Sequence, residues 1–127
     1  TGVQTCALPI SQGVSIGSPA SRIVVANNGA YELEATVQLT STNASAKDVY
    51  VWFKKNGTAI ANSTRIATFN LNNGYFQTNL HKHVSLNAND YIEVAFASTD
   101  IAVTVDNVPA TAFAPASPAA LLNVSEI

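Results

Sequence analysis

The segment 48-DVYVWFKKNGTAIANS-63 decides the fold class, because it combines an alternating strand pattern with a hairpin turn. Alternate positions on one face of the pattern are apolar: Val49, Val51 and Phe53. The opposite face carries the bulky Tyr50 and Trp52, so we expect this strand to be covered on both sides. The following Asn56-Gly57 favours a two-residue type I′ turn, since both central residues of that turn need positive φ.

A second strand pattern lies upstream, in YELEATVQL at 31–39. Its apolar positions share one face: Tyr31, Leu33, Ala35, Val37 and Leu39. Its polar positions share the other: Glu32, Glu34, Thr36 and Gln38. Such alternation is typical of a half-buried strand in an antiparallel sheet.

The rest of the chain repeats this pattern between turn signals. Arg65–Leu71 alternates through Ile66 and Phe69, and the segment 75–86 places Phe76, Leu80, Val84 and Leu86 on one face. Turn residues lie at Asn72–Gly74 and Asn87–Asp90, and the closing LLNVSEI reads as a terminal strand. We expect eight to ten short strands, no helix, and an all-β antiparallel sandwich.

Length and charge exclude several classes of protein. The chain has 127 residues, enough for one domain, and its net charge is −2 with scattered basic residues, which does not suit nucleic-acid binding. No apolar run is long enough for a membrane span, so we expect no membrane insertion. The single cysteine, Cys6, cannot form an internal disulfide.

Four short motifs, in this order, resemble the jelly-roll family of the complement globular head and tumour necrosis factor. Gly29–Tyr31 matches the Gly-x-Tyr that opens a central strand, and Lys55–Gly57 matches a Lys-Asn-Gly strand end. Leu86–Asp90 matches a Leu-x-x-x-Asp turn, with Asn89 where glycine is usual. Asparagine also tolerates positive φ, so this departure is compatible with the turn. An apolar final strand is the fourth feature.

Phage and prophage virion proteins of this family are similar in more detail. Their C-terminal domains carry W-x-x-K-N-G-T, present here as Trp52–Thr58, and a Pro-Ser-x-x-x-x-V-x-x-I tail. Pro118–Ile127 matches that tail with Ala119 in place of Ser. The resemblance covers roughly 13–127, and it implies a non-enzymatic virion structural domain of the tail-fibre, head-fibre or decoration type.

The resemblance also implies a homotrimer that contributes to binding of a host-surface protein or glycan. The candidate trimer-interface residues are Tyr31, Tyr50, Trp52, Phe113, Leu121, Leu122, Val124 and Ile127. Candidate receptor contacts lie in the loops at 42–47, 70–74 and 106–115, with Thr42, Asn43, Asn72, Asn73 and Asn107 as the named residues. The alternative is a bacterial secreted or surface lectin-like adhesin domain of the same fold.

The opening segment TGVQTCALPI, residues 1–10, differs in character from the rest. It translates without a mismatch from ACT GGA GTT CAG ACG TGT GCT CTT CCG ATC, which resembles a short-read sequencing adapter. We interpret 1–10 as a non-native segment that replaces the family's first strand, and 11–127 as a single jelly-roll domain. An apolar natural first strand is the alternative interpretation.

Polar side chains suggest few chemical sites. His81 and His83 share one strand face, a spacing that can give two metal ligands, but we expect a polar surface or a subunit contact and no metal site. Glu32 and Glu34 are interpreted as a solvated face rather than a catalytic pair. For Asp90, Asp100 and Asp106 we expect turn chemistry rather than calcium binding. We therefore expect no enzymatic activity and no cofactor.

Overall fold

The structure, a computed structural model, describes residues 14–16, 22–100, 102–105, 110–115 and 120–127. These ranges contain ten strands and no helix, as the alternation predicts. The strands are β1 (Val14–Ile16), β2 (Ile23–Val25), β3 (Gly29–Ser41), β4 (Lys47–Lys55), β5 (Thr58–Ala59), β6 (Arg65–Phe69), β7 (Tyr75–Leu86), β8 (Tyr91–Ser98), β9 (Val103–Val105) and β10 (Ala120–Glu126). The segment 1–10 and Asn107 lie outside the described residues.

The strands form two antiparallel sheets. In sheet A the order is β1-β2-β8-β4, and both β5 and β6 pair with β4. In sheet B the order is β10-β3-β7, and β9 pairs with the last residues of β3, Leu39–Ser41. The predicted all-β antiparallel sandwich is therefore confirmed.

The core lies between the sheets and is built from the apolar faces of the central strands. Every inward position of β3 from Tyr31 to Leu39 is buried, and so are Val49, Val51 and Phe53 of β4. Full burial of a side chain of this size stabilises the fold by about 1.5–3 kcal/mol. Tyr50 and Trp52, however, are only half-buried within the single chain, so the expected cover on both sides of β4 is wrong for a lone chain.

Asparagine residues build two of the turns between consecutive strands, one within sheet A and one that passes from sheet B to sheet A. Asn56 and Gly57 have φ of 51° and 84°, and Lys55 pairs with Thr58 across them, which confirms the predicted type I′ hairpin. Asn89 has φ of 73° in the turn between β7 and β8, as its replacement of glycine requires.

Candidate functional site

The central part of the outer face of sheet B, where β3 pairs with β7, is mostly polar. It is formed by the even-numbered residues of β3 and the odd-numbered residues of β7, whose side chains point away from the core. The antiparallel register places Glu32 opposite His83 and Glu34 opposite His81. The pairing therefore joins two histidines and a carboxylate that are about fifty positions apart in the sequence.

Glu32, His81 and His83 form a compact cluster on this face. The Oε2 atom of Glu32 lies 2.7 Å from Nε2 of His81 and 3.5 Å from Nε2 of His83. The two imidazole rings meet edge to face, with centroids 5.0 Å apart. One donor atom from each residue falls within 4.8 Å of the other two. We call these three side chains the Glu32–His81–His83 cluster.

The electrostatics of the cluster favour a charged carboxylate. The hydrogen bond with His81, and then the one with His83, hold the pKa of Glu32 below its usual value. All three side chains remain accessible to solvent, with His81 and His83 more exposed than Glu32. The cluster can therefore exchange protons or ions with the solution.

Sequence reasoning found the histidine pair but missed the carboxylate. The i, i+2 spacing of His81 and His83 is a local signal that the sequence shows directly. Their carboxylate partner Glu32 lies in another strand, so this spacing does not reveal it. Only the register of β3 with β7 supplies that partner. A sequence signal existed in the polar alternation of both strands, but it does not specify which residues face each other.

The outer face of sheet A is different in chemistry. Tyr50 and Trp52 line a shallow, mainly apolar depression together with Ala59, Thr64 and Ala97. Ile66 pairs with Tyr50 across β4 and β6, and 63% of its surface is exposed. The depression therefore presents aromatic and small apolar groups to solvent.

The structure divides the predicted interface residues into two groups. Tyr31, Leu122 and Val124 are at most 1% exposed and pack in the core of the single chain, so their side chains offer no surface to a second chain. Alternation along β3 points Tyr31 inward, and alternation along β10 does the same for Leu122 and Val124, which corrects their place among the interface candidates. Leu121, Ile127 and Phe113 are exposed, and Tyr50 and Trp52 are half-exposed.

The predicted receptor loops are also divided. Thr42, Asn72 and Asn73 are exposed, and the backbone N–H of Asn73 donates to the carbonyl of Ser41 at 2.7 Å, which joins the two loops. Asn43 is held more firmly, because its amide donates to Asp100. A receptor contact by Asn43 would first have to break this hydrogen bond.

Lys47, placed by sequence reasoning at the end of a receptor loop, is instead the buried first residue of β4. Its Nζ donates to Ser41 Oγ at 2.7 Å, to the Asn43 carbonyl at 2.6 Å and to Asn43 Oδ1 at 2.9 Å. Only 2% of Lys47 is exposed. Three acceptors match the three protons of the ammonium group, so the role of Lys47 is structural.

Asp90 and Asp100 confirm the turn chemistry that the sequence predicts. Asp90 accepts from the Asn56 amide at 2.7 Å and from the Asn87 backbone at 2.8 Å, and these bonds, the Asn56 bond first, lower its pKa. The pKa of Asp100 is lowered by the backbone N–H of Ala102 and then by Asn43. Asp106 lies outside the described residues.

Comparisons with known proteins add no assignment. No protein-family model matches the chain, and a search of curated proteins finds no significant match. Within the part of the chain that the structure describes, no helix is long and apolar enough to cross a membrane.

Proposed function

We propose that this chain is a non-enzymatic jelly-roll domain of a phage virion protein, of the tail-fibre, head-fibre or decoration type. The positions of its family-like motifs carry the proposal. Gly29–Tyr31 opens the central strand β3, Lys55–Gly57 ends β4 in a hairpin, and Leu86–Asp90 forms the turn from β7 to β8. The motifs therefore lie at strand ends, where a shared fold would require them.

Strand order supports the jelly-roll part of the proposal. The four-strand path β1-β2-β8-β4 in one sheet faces β10-β3-β7 in the other, so strands distant in sequence become neighbours in both sheets. The terminal strand β10 lies beside the central strand β3 rather than beside its predecessor along the chain. The Greek-key connections of a double-sheet jelly roll also make neighbours of strands that are distant in sequence.

Exposed apolar side chains support a homotrimer. Leu121 on the outer side of β10 is 42% exposed, and Ile127 directly after β10 is 71% exposed. Phe113 is 97% exposed in the single chain. Contact with another chain would remove this apolar surface from water, which favours association. In the proposed trimer these residues contact a neighbouring copy.

Light scattering behind gel filtration tests the trimer. We expect the full chain to have three times its monomer mass of 13.3 kDa, and Leu121→Glu to reduce the mass to that of the monomer. Leu71→Glu is the matched control, because it places the same charge at a leucine of similar exposure in the loop between β6 and β7. A wild-type monomer at all concentrations would contradict the trimer.

The proposed binding partner is a host-surface glycan or protein, and the virion is the proposed location. The exposed loop residues Thr42, Asn72 and Asn73 support this, because loops at one end of a rigid sandwich are common binding sites. The same purified protein is the probe for a glycan array. Array binding that survives Thr42→Arg together with Asn72→Arg would place the contact elsewhere.

A further inference from the structure

We propose that Glu32, His81 and His83 bind a divalent transition-metal ion of the zinc class on the outer face of sheet B. The proposal is independent of the virion function and of the trimer, since all three donors come from one chain. The donor set is two imidazole nitrogens and one carboxylate oxygen. Zinc is commonly bound by such a set, with further positions left for water or another ligand.

Two of the three donor separations are already close to those that one ion needs, and the third, between the imidazoles, is within 4.8 Å. Ligands at about 2.0–2.2 Å from a tetrahedral zinc ion lie roughly 3.3 Å from one another. The carboxylate oxygen lies 2.7 Å from one imidazole nitrogen and 3.5 Å from the other, values on either side of that separation. Small side-chain rotations would therefore admit an ion in place of the proton that now bridges Glu32 and His81.

The backbone holds the cluster in a fixed arrangement. β3 and β7 pair continuously from Gly29–Leu86 to Thr40–Tyr75, so the cluster lies inside the longest ladder of the molecule. Inward neighbours anchor both strands, since Leu33 on β3 and Leu80 on β7 are buried in the core. A site on rigid paired strands needs little reorganisation on binding, which favours affinity.

The chemistry of the donors selects among metals. Imidazole suits zinc, copper and nickel, whereas calcium and magnesium prefer sites made wholly of oxygen. An ordinary surface ion pair is the competing explanation of the same contacts, and such pairs contribute little. An ion pair needs only one imidazole, whereas here two imidazole nitrogens converge on a single carboxylate oxygen.

Titration of the untagged full chain tests the proposal, in a Cys6→Ser background because a thiolate also binds zinc. After treatment with a chelator, zinc is added under calorimetry, and cobalt is added to follow its visible absorption. We expect one zinc ion per chain and no comparable binding of calcium or magnesium. Imidazole NMR signals of both histidines should shift together, and affinity should fall as pH is lowered because ligands must lose their protons.

Single substitutions identify the ligands. His81→Gln, His83→Gln and Glu32→Gln should each weaken zinc binding by more than tenfold, because even changes behind a ligand cost roughly 10–100-fold. Glu34→Gln is the matched control, since it removes an equal charge two residues away on the same face. Circular dichroism confirms that each variant is folded, as expected for exposed positions.

Three results would overturn the site. They are an absence of saturable zinc binding, a stoichiometry well below one ion per chain, and an equal loss of affinity in Glu34→Gln and Glu32→Gln. The last result would mean that the acidic face attracts cations without a defined set of ligands. Retained affinity in the Glu34→Gln protein together with loss in the three ligand variants supports the site.

Discussion

The two outer faces of the sandwich differ far more than the two inner faces do. Both inner faces are apolar and buried, as Leu33 in sheet B and Phe53 in sheet A illustrate. Outside, sheet A presents Tyr50 and Trp52 around an apolar depression, whereas sheet B presents the Glu32–His81–His83 cluster. Folding requires both inner faces to be apolar, whereas it leaves the two outer faces free to differ.

The two outer faces suit two different kinds of binding partner. A shallow aromatic surface suits apolar or stacking contacts with a large partner, because aromatic rings supply most of the contact energy at such surfaces. A cluster of imidazoles and a carboxylate suits a small ion that is held by direction and charge. One sandwich can therefore present an aromatic surface on sheet A and an ion-binding cluster on sheet B, where the exposed Leu121 of β10 shares the outer face with the cluster.

Neighbouring residues on β4 give the largest expected effect, because one faces the core and the other faces outward. Phe53 is fully buried, so Phe53→Ala should lower the free energy of unfolding by about 3–5 kcal/mol through a cavity. Trp52 is half-buried on the outer face, so Trp52→Ala should cost only about 1–2 kcal/mol. Urea denaturation measures both.

An equal cost for the two substitutions would contradict the view that the outer face of sheet A is open. It would mean that a second chain covers Trp52, because a covered tryptophan loses as much on truncation as a core residue does. Repeating the denaturation at several protein concentrations separates these cases, since the stability of an assembly depends on concentration.

We expect the polar residues that stabilise the fold to lie at the rims of the sandwich, where strands end in turns and loops, rather than on the outer face of sheet B. Lys47 is the strongest case. Lys47→Met keeps most of the side-chain volume but leaves buried acceptors on Ser41 and Asn43 without their donor. We expect a loss of about 1–3 kcal/mol. The control Lys54→Met, on the same strand and half-buried, should cost much less, as a thermal melt would measure.

The faces of most strands could be predicted from the sequence, but the functional partners of residues could not. Alternation along β3 and β7 correctly separated the inward from the outward residues, and Asn56-Gly57 specified its own turn because φ requirements are local. The pairing of Glu32 with His83 depends on the register between strands separated by three others along the chain. Register is set by the packing of the whole sheet, so no local pattern contains it.

The burial of residues in β10 and of Lys47 also could not be predicted from residue type. Leu121 and Leu122 are adjacent and equally apolar, yet one is exposed and the other is in the core. Lysine is rarely buried, so residue type places Lys47 in a loop. Its three acceptors, on Ser41 and Asn43, come together only when the loop is folded. Residue type alone therefore predicts neither outcome.

The smallest expected effect concerns Asp90, at the rim where the turn after β4 meets the turn before β8. Its carboxylate accepts from Asn56 and Asn87, which lowers its pKa below the ordinary value of about 3.9. The charged form is thus favoured by folding, so its contribution is complete above that ordinary value and disappears as pH falls through the lowered one. Asp90→Asn should cost about 1 kcal/mol at neutral pH, because it removes one acceptor oxygen.

Urea denaturation of the wild-type and Asp90→Asn proteins between neutral pH and about pH 2.5 tests this contribution. The difference in stability should be constant near neutral pH and shrink on acidification, since the wild-type protein alone loses the Asp90 term. Glu34→Gln on the outer face of sheet B is the control and should alter stability by less than about 0.5 kcal/mol. If the difference in stability between the Asp90→Asn and wild-type proteins is the same at every pH, the turn is held by backbone geometry. The rim then carries no more charge-dependent stability than the exposed polar face.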